Sequence, residues 1–399
     1  MSTVFDDLDR ATLAVLCREY LLCGHLIDRA AMPLVLQAFG MEAMRDVAID
    51  EWMGASPVYT RRMRALLEIE GDDVATIFKG MQLDIGAPPQ FMDFRYEVTD
   101  AHHGEFALAS CGALLDVEPY GEPFVVTMCH HIEDPTFDAT AAATNPRARM
   151  RPIHRPPRVP AGRVPFCLWS VVIDESAEPL PMPEGAERLL TSRAAATILD
   201  TAAGPDAEGA TDYAGPLVPD IRFEEFSRNT LIALAQEICL QGHLLTLTFT
   251  DALERRFGAD AVPEIARKRM AGVAGIAARR LKRALGLGDG RDDLVRVLRL
   301  HPAFHPHAYV AVDVADDLSV SLRDCPALGD RPGLSWADSL DATALEAIAQ
   351  EFDPTARVAT TGDRSWRIEL GASSEPSPEI GEVKLTSLST GAAFAFEDR

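Results

Sequence analysis

The chain has 399 residues, 47% hydrophobic and 25% charged, with a formal net charge of −23. That length carries two domains with full cores, and the composition is globular. The charge argues against nucleic acid and anionic membrane as partners. No apolar run reaches the ~20 residues that cross a bilayer. The opening MSTVFDDLDR lacks the basic start and apolar stretch of a secretion signal, so a cytoplasmic location is expected.

In chain order, Leu13, Leu16, Tyr20, Leu21 and Gly24 follow the helical period, with Asp9 or Asp7 as cap. Further helices are predicted over 40–53, 58–67 and 73–83. Period-two segments at 91–98 and 105–110 flank AlaHisHisGly and predict a hairpin. A helical stretch over 122–143, broken near Pro135, leads to a second hairpin with strands 148–154 and 166–174. Residues 176–220 are rich in Ala, Pro, Gly and Glu and read as a linker, with one short helix at 187–198. Helices follow at 221–247, 261–271, 273–285 and 292–300, then strands 308–314 and 318–322. A helix at 341–352 and strands 357–361 and 365–370 close the pattern before a Ser/Pro/Glu-rich tail.

The order of elements repeats because the sequence repeats. Asp9–Leu26 reads DRATLAVLCREYLLCGHL and Ser227–Leu244 reads SRNTLIALAQEICLQGHL, in register at a constant offset of 243 − 25 = 218. The same offset relates Phe39-Gly40 to Phe257-Gly258 and Arg61-Arg62 to Arg279-Arg280. Around Cys111 and Cys325 the offset is 325 − 111 = 214. A period of this size is a duplicated domain, not a solenoid. The expected fold class is α+β: two tandem copies of a helical part followed by a small hairpin–helix–hairpin part, arranged as a pseudo-dimer. The division is 1–178 for copy one, 179–220 for the linker, 221–372 for a degenerate copy two and 373–399 for the tail. A further homodimer of the whole chain is compatible with this.

Residues shared by both copies speak for the fold. Gly24-His25 and Gly242-His243 suit a helix crossing packed through glycine. Glu19 and Glu237 lie in apolar surroundings and need partners, which Arg61, Arg62, Arg279 and Arg280 supply. Among the seven cysteines, Cys17, Cys23 and Cys239 sit on apolar helical segments and read as core. An odd count in a cytosolic-looking chain does not suggest disulfides.

Copy one alone holds a Cys/His set: Cys111, Cys129-His130-His131-Ile132-Glu133-Asp134, His154 and Cys167. Sulfur and imidazole suit zinc or another transition metal. Cys111, Cys129, His154 and Cys167 are the candidate ligands, with His154 and Cys167 facing each other across the second hairpin. The other reading is three unrelated buried thiols and a solvated histidine. Copy two keeps Cys325 but has Arg364 where Cys167 stands, so the set was lost as a group. His305 and His307 could share a strand side, but Pro302 and Pro306 point to a loop. Arg147, Arg149, Arg151, Arg155 and Arg158 form a basic run, either a solvated strand face or a clamp for a substrate carboxylate, with Arg149 and Arg155 foremost. No Gly-x-Gly-x-x-Gly loop follows a strand, so no dinucleotide is indicated.

Cys111, Cys129, Asn145-Pro146-Arg147-Ala148-Arg149, His154-Arg155-Pro156-Pro157 and Cys167-Leu168-Trp169 together resemble the L-2-amino-thiazoline-4-carboxylic acid hydrolase family. Copy two matches through Cys325, Asp353-Pro354-Thr355-Ala356-Arg357 and Trp366. Some members carry a cysteine directly before Pro-Pro, where His154 here stands one residue further away. The resemblance implies hydrolysis of a small C–N or C–S ring or amide-like bond in a small-molecule substrate. Two mechanisms accord with it. A metal on the four candidate ligands polarises a carbonyl or activates water, which requires an open coordination position. Alternatively Cys129 is the nucleophile, His130 or His131 the base, and Glu133 or Asp134 the orienting acid. A non-catalytic binding protein with a structural metal site is the other class of function.

Overall fold

The computed structural model describes residues 4–200, 202, 208–330 and 336–376. Copy one begins with helices α1 (Arg10–Phe39), α2 (Met41–Leu66) and α3 (Val74–Met81). Strands β1 (Met92–Val98) and β2 (His103–Cys111) follow. Then come α4 (Gly112–Val117), a 3-10 turn, α5 (Glu122–Val126), a π-helical turn (Thr127–Ile132) and α6 (Glu133–Ala142). Strands β3 (Ala148–His154) and β4 (Cys167–Ile173) close it, and α7 (Glu184–Leu189) lies in the connecting segment. Copy two has α8 (Arg228–Phe257), α9 (Val262–Ala284), α10 (Arg291–Arg299), β5 (Val312–Val314), β6 (Ser319–Leu322), α11 (Trp336–Ser339), α12 (Ala342–Gln350), β7 (Arg357–Gly362) and β8 (Ser365–Glu369). The fold is α+β. Most of the predicted tail lies outside the described residues.

The opening helices of the two copies are built alike from the sequence. The Asp9 carboxylate accepts from Thr12 N–H and the Ser227 hydroxyl from Thr230 N–H, so both starts satisfy an orphan donor. Both helices stop at glycine, Gly40 at φ +86 and Gly258 at φ +85, a region closed to most side chains. Two predicted helix pairs are each one helix. The 40–53 and 58–67 segments run through Pro57 as α2, and 261–271 and 273–285 run together as α9. Tertiary packing overrides the breakers. A Cβ on Gly54 would lie 2.7 Å from Thr248 Cγ2, so glycine lets α2 close onto α8. There the Thr248 hydroxyl donates to the Glu51 carbonyl at 2.9 Å.

Each α+β part forms one four-stranded antiparallel sheet rather than two separate hairpins, in the order β1-β2-β4-β3 and β5-β6-β8-β7. Phe106 pairs with Trp169 across β2 and β4, and their rings stack at 6.0 Å. The helical parts share one core, in which Leu16 and Tyr20 pack with Leu231 and Leu245. α8 is long and apolar enough to span a bilayer, but 89% of its apolar window is buried inside the protein.

Contacts between the copies are reciprocal. Glu19 takes Arg280 at 2.9 Å, and its repeat equivalent Glu237 takes Arg62 at 2.7 Å. Phe39 stacks on its own equivalent, Phe257, at 3.9 Å between ring centres and 3° between planes. The sequence expectation of Glu–Arg partners holds, with each pair crossing from one copy to the other.

Candidate small-molecule site

The predicted Cys/His set comes only partly together. Cys111 ends β2, and its sulfur accepts the Leu114 N–H at 3.4 Å, capping α4. Cys129 is buried in the π turn, and Cys167 opens β4 opposite Leu108. Burial pushes the Cys111 thiol up to about 12, and the neighbouring Glu133 adds to this. Burial and Glu133 also hold the Cys129 and Cys167 thiols well above their ordinary value. All three are therefore neutral thiols at neutral pH, whereas nucleophilic attack needs thiolate.

His154 does not face Cys167. Its cross-strand partner is Leu168, after a bulge between Pro152 and His154. Cys167 and Trp169 point to the core, so Leu168 and His154 lie on the outer face. Burial and Arg163 lower the His154 pKa. Among the described residues, no three His, Cys, Asp or Glu side chains are close enough to hold a metal ion. With His154 on the opposite face, the predicted set lacks the fourth donor of a tetrahedral ion.

Nor does either predicted histidine stand as a base for Cys129. His130 Nε2 lies 2.7 Å from the Pro156 carbonyl and is engaged there. His131 is exposed. Asp134 is ion-paired with Arg155, which also reaches the Cys129 carbonyl at 3.4 Å and lies over the Trp169 ring. Arg149 spends its guanidinium on the carbonyls of Pro146, Ala148 and Glu178. Arg151 pairs with Asp138 and Arg158 with Glu118. The basic run ties strands and loops together.

What copy one does contain is a cavity of about 460 Å³ between its helical part and its sheet. That is within the ~300–1,000 Å³ of small-molecule sites. α1 contributes His25, Asp28, Arg29 and Met32; α2 contributes Met44, Trp52 and Tyr59. The sheet gives Met92, Phe94 and Leu108, and the 112–140 segment gives Asp116, Phe124, Glu133 and Phe137. Helical spacing puts His25, Asp28, Arg29 and Met32 along one side of α1. Pro33, also on the wall, removes the N–H that would bond the Arg29 carbonyl.

The polar groups of the wall are few and strongly perturbed. Arg29 pairs with Asp116 at 3.3 Å, both nearly buried. The Trp52 indole N–H donates to Asp28 at 3.1 Å, and burial raises the Asp28 pKa. The Tyr59 hydroxyl donates to Asp84 at 2.7 Å, whose carboxyl burial lifts to about 6. His25 stacks obliquely on Phe91 and Trp52, and neither ring nitrogen has a hydrogen-bond partner. Burial, then the Arg29 charge, drives its pKa down to about 3, against a weak backbone interaction with Ile85. Glu133 is the most informative. Its Oε2 is inaccessible and without a hydrogen bond. Burial lifts its pKa to about 8, with Arg155 opposing and Asp134 adding. It follows directly on the π turn, a helix defect frequent at functional sites.

Behind the wall, Glu51 is fully buried and neither carboxylate oxygen has a hydrogen bond. Burial and Asp28 raise its pKa, and Arg269 of copy two opposes this. Glu51 and Arg269 occupy the same repeat position, since 269 − 51 = 218.

Sequence reasoning named Glu133 but missed Asp28, Arg29, Trp52, Asp84 and Asp116, and it assigned His25 to packing. A signal was present. Asp28-Arg29 interrupts an apolar helix, and the positions 218 further on are Thr246-Leu247. No protein-family model, curated protein or solved structure matches this chain.

Proposed function

We propose that the copy-one cavity binds a small, mainly apolar molecule and that Glu133 serves there as a general acid–base group in a hydrolase-like reaction on a C–N or C–S bond. The supporting observation is a carboxyl group with a bare, buried oxygen on an apolar wall. Such a group is balanced between its two protonation states near neutral pH, which is what proton transfer requires. The chemistry runs without metal and without a thiolate. The Glu133 carboxylate takes a proton from a water whose oxygen bonds to the substrate carbon, and the acid so formed gives that proton to the nitrogen or sulfur as its bond to the carbon breaks. Arg29, locked to Asp116, shapes the wall beside it.

The test is turnover of a pooled set of cyclic and linear amides and thiazolines, read by mass spectrometry as the gain of one water. Wild type, Glu133→Gln, Cys129→Ser and chelator-treated protein are compared. Loss of about a hundredfold or more in Glu133→Gln, with Cys129→Ser and chelator without effect, supports the proposal. Activity that depends on Cys129 or on a chelatable metal overturns it.

We further propose that the chain is a fused pseudo-dimer in which copy two is a scaffold for copy one. The reciprocal Glu19–Arg280 and Glu237–Arg62 pairs support this, because an isologous interface makes every contact twice. Glu51 and Arg269 add a reason for fusion. At one repeat position, identical copies would set like charges near each other, whereas a duplicated chain can place opposite ones. Coexpressed halves cut between residues 203 and 207 should associate. Halves that fold as separate monomers would contradict this.

A further inference from the structure

The charge on the cavity wall bears on the ligand class, and this inference rests on the reading of the cavity as a small-molecule site. Among the described residues, the lining includes the carboxyls of Asp28, Asp84 and Asp116, with Glu133 held in its neutral form, against a single guanidinium, Arg29. Arg29 is already held by Asp116 at 3.3 Å, and its charge also acts on Asp28. An incoming carboxylate would meet one neutralised cation and a surplus of acids. An incoming cation would meet the reverse.

Geometry narrows the place. Asp28 and His25 are three residues apart on α1 and share its face. Trp52 touches both, through its N–H to Asp28 at 3.1 Å and its ring at 5.9 Å from that of His25. His25 is 4% exposed, and both of its ring nitrogens are shut away from the cavity, so it packs as a ring beside Asp28 and Trp52. A carboxylate with one oxygen taken by the Trp52 N–H, set among an indole and an imidazole ring, is the partner of a desolvated ammonium. Phe94, Phe137 and the methionines supply an adaptable apolar surround.

We propose that the ligand is an organic cation: an amine with a bulky aryl or alkyl body, its ammonium on Asp28 beside His25 and Trp52. The body fills the apolar remainder of the cavity. No covalent step is required for binding.

The experiment is isothermal titration at neutral pH of wild type with three probes of one body, 4-phenylbutylamine, 4-phenylbutan-1-ol and 4-phenylbutyric acid. The amine should bind about tenfold or more tighter than the alcohol, and the acid should be weakest. Asp28→Asn keeps an acceptor for the Trp52 N–H. It should remove most of the amine's advantage and leave the alcohol within about threefold. The wild-type series decides even if that variant does not fold. Equal affinities, or preference for the acid, overturn the cation inference and leave the cavity reading standing. No binding of any probe overturns the cavity reading, and the inference falls with it.

Discussion

Glu133→Gln should make the protein more stable at alkaline pH and leave it unchanged at acid pH. The glutamate's ordinary pKa is 4.5, and in the folded chain it is about 8. Between those values the unfolded chain releases the proton while the folded chain keeps it. The folded state then binds more protons, so stability falls as pH rises through this window and levels off above it. At ~1.4 kcal/mol per pH unit, the full window is worth on the order of 5 kcal/mol. Glutamine matches the neutral acid in shape and carries no such penalty. The groups acting on Glu133 or its neighbours are Arg155, Asp134 and the Cys111, Cys129 and Cys167 thiols, all present in both proteins. Urea unfolding of both proteins across this pH range measures the difference directly. Near the acid end the two curves should superimpose, and near the alkaline end the variant should lead by several kcal/mol. A gap that does not change with pH would refute the buried-acid argument.

Other consequences follow from the same structure. Glu19→Ala strips the nearly buried Arg280 of its carboxylate and should cost about 3–5 kcal/mol by denaturant unfolding. The equivalent Glu237→Ala should cost less, because Arg62 is 20% exposed and also holds the Ala195 carbonyl; an equal or larger cost would contradict this. In the native protein, thiol reagents should modify Cys325 alone, since the other six cysteines are buried and reaction there would require unfolding. Rapid native labelling of Cys129 would count against its neutral, enclosed thiol. Gly24→Ala would push a methyl to 2.5 Å from Ile85 Cγ2, at the turn beside Asp84, for a loss of about 1–3 kcal/mol. Gly242→Ala meets only the end of Ile27 at 2.9 Å and should be milder, a ranking that thermal melts can check.

Much of the architecture was legible because local pattern and tertiary role agreed. The strands at 148–154 and 166–174 alternate cleanly, and Asp9, Ser227, Gly40 and Gly258 punctuate their helices by ordinary capping chemistry. Pro57 misled because an interior proline costs one helical hydrogen bond, which interhelical packing at Gly54 outweighs. The union of each pair of hairpins into one sheet left no local trace, since β2 and β4 meet across 55 intervening residues, 112–166.

The site was harder to read for a physical reason. The Cys/His set is conspicuous by residue type, but strand register decides which face a side chain takes, and one bulge turns His154 away from Cys167. The polar groups of the cavity are ordinary types made unusual by burial. Asp28, Asp84 and Glu133 look like any helix or turn acid until the surrounding Phe, Met and Trp side chains are placed. Glu133 was reachable because it shares a helix face with Cys129, whereas Asp116 was not, its partner Arg29 lying far back in α1.

The measurement closest to the central claim is a crystallographic fragment screen of the full chain with a chemically mixed library. The account predicts that bound fragments concentrate in the copy-one cavity between Asp28, Trp52 and Glu133. Fragments that gather elsewhere, at the copy-two sheet or around His154, with this cavity empty, would contradict it.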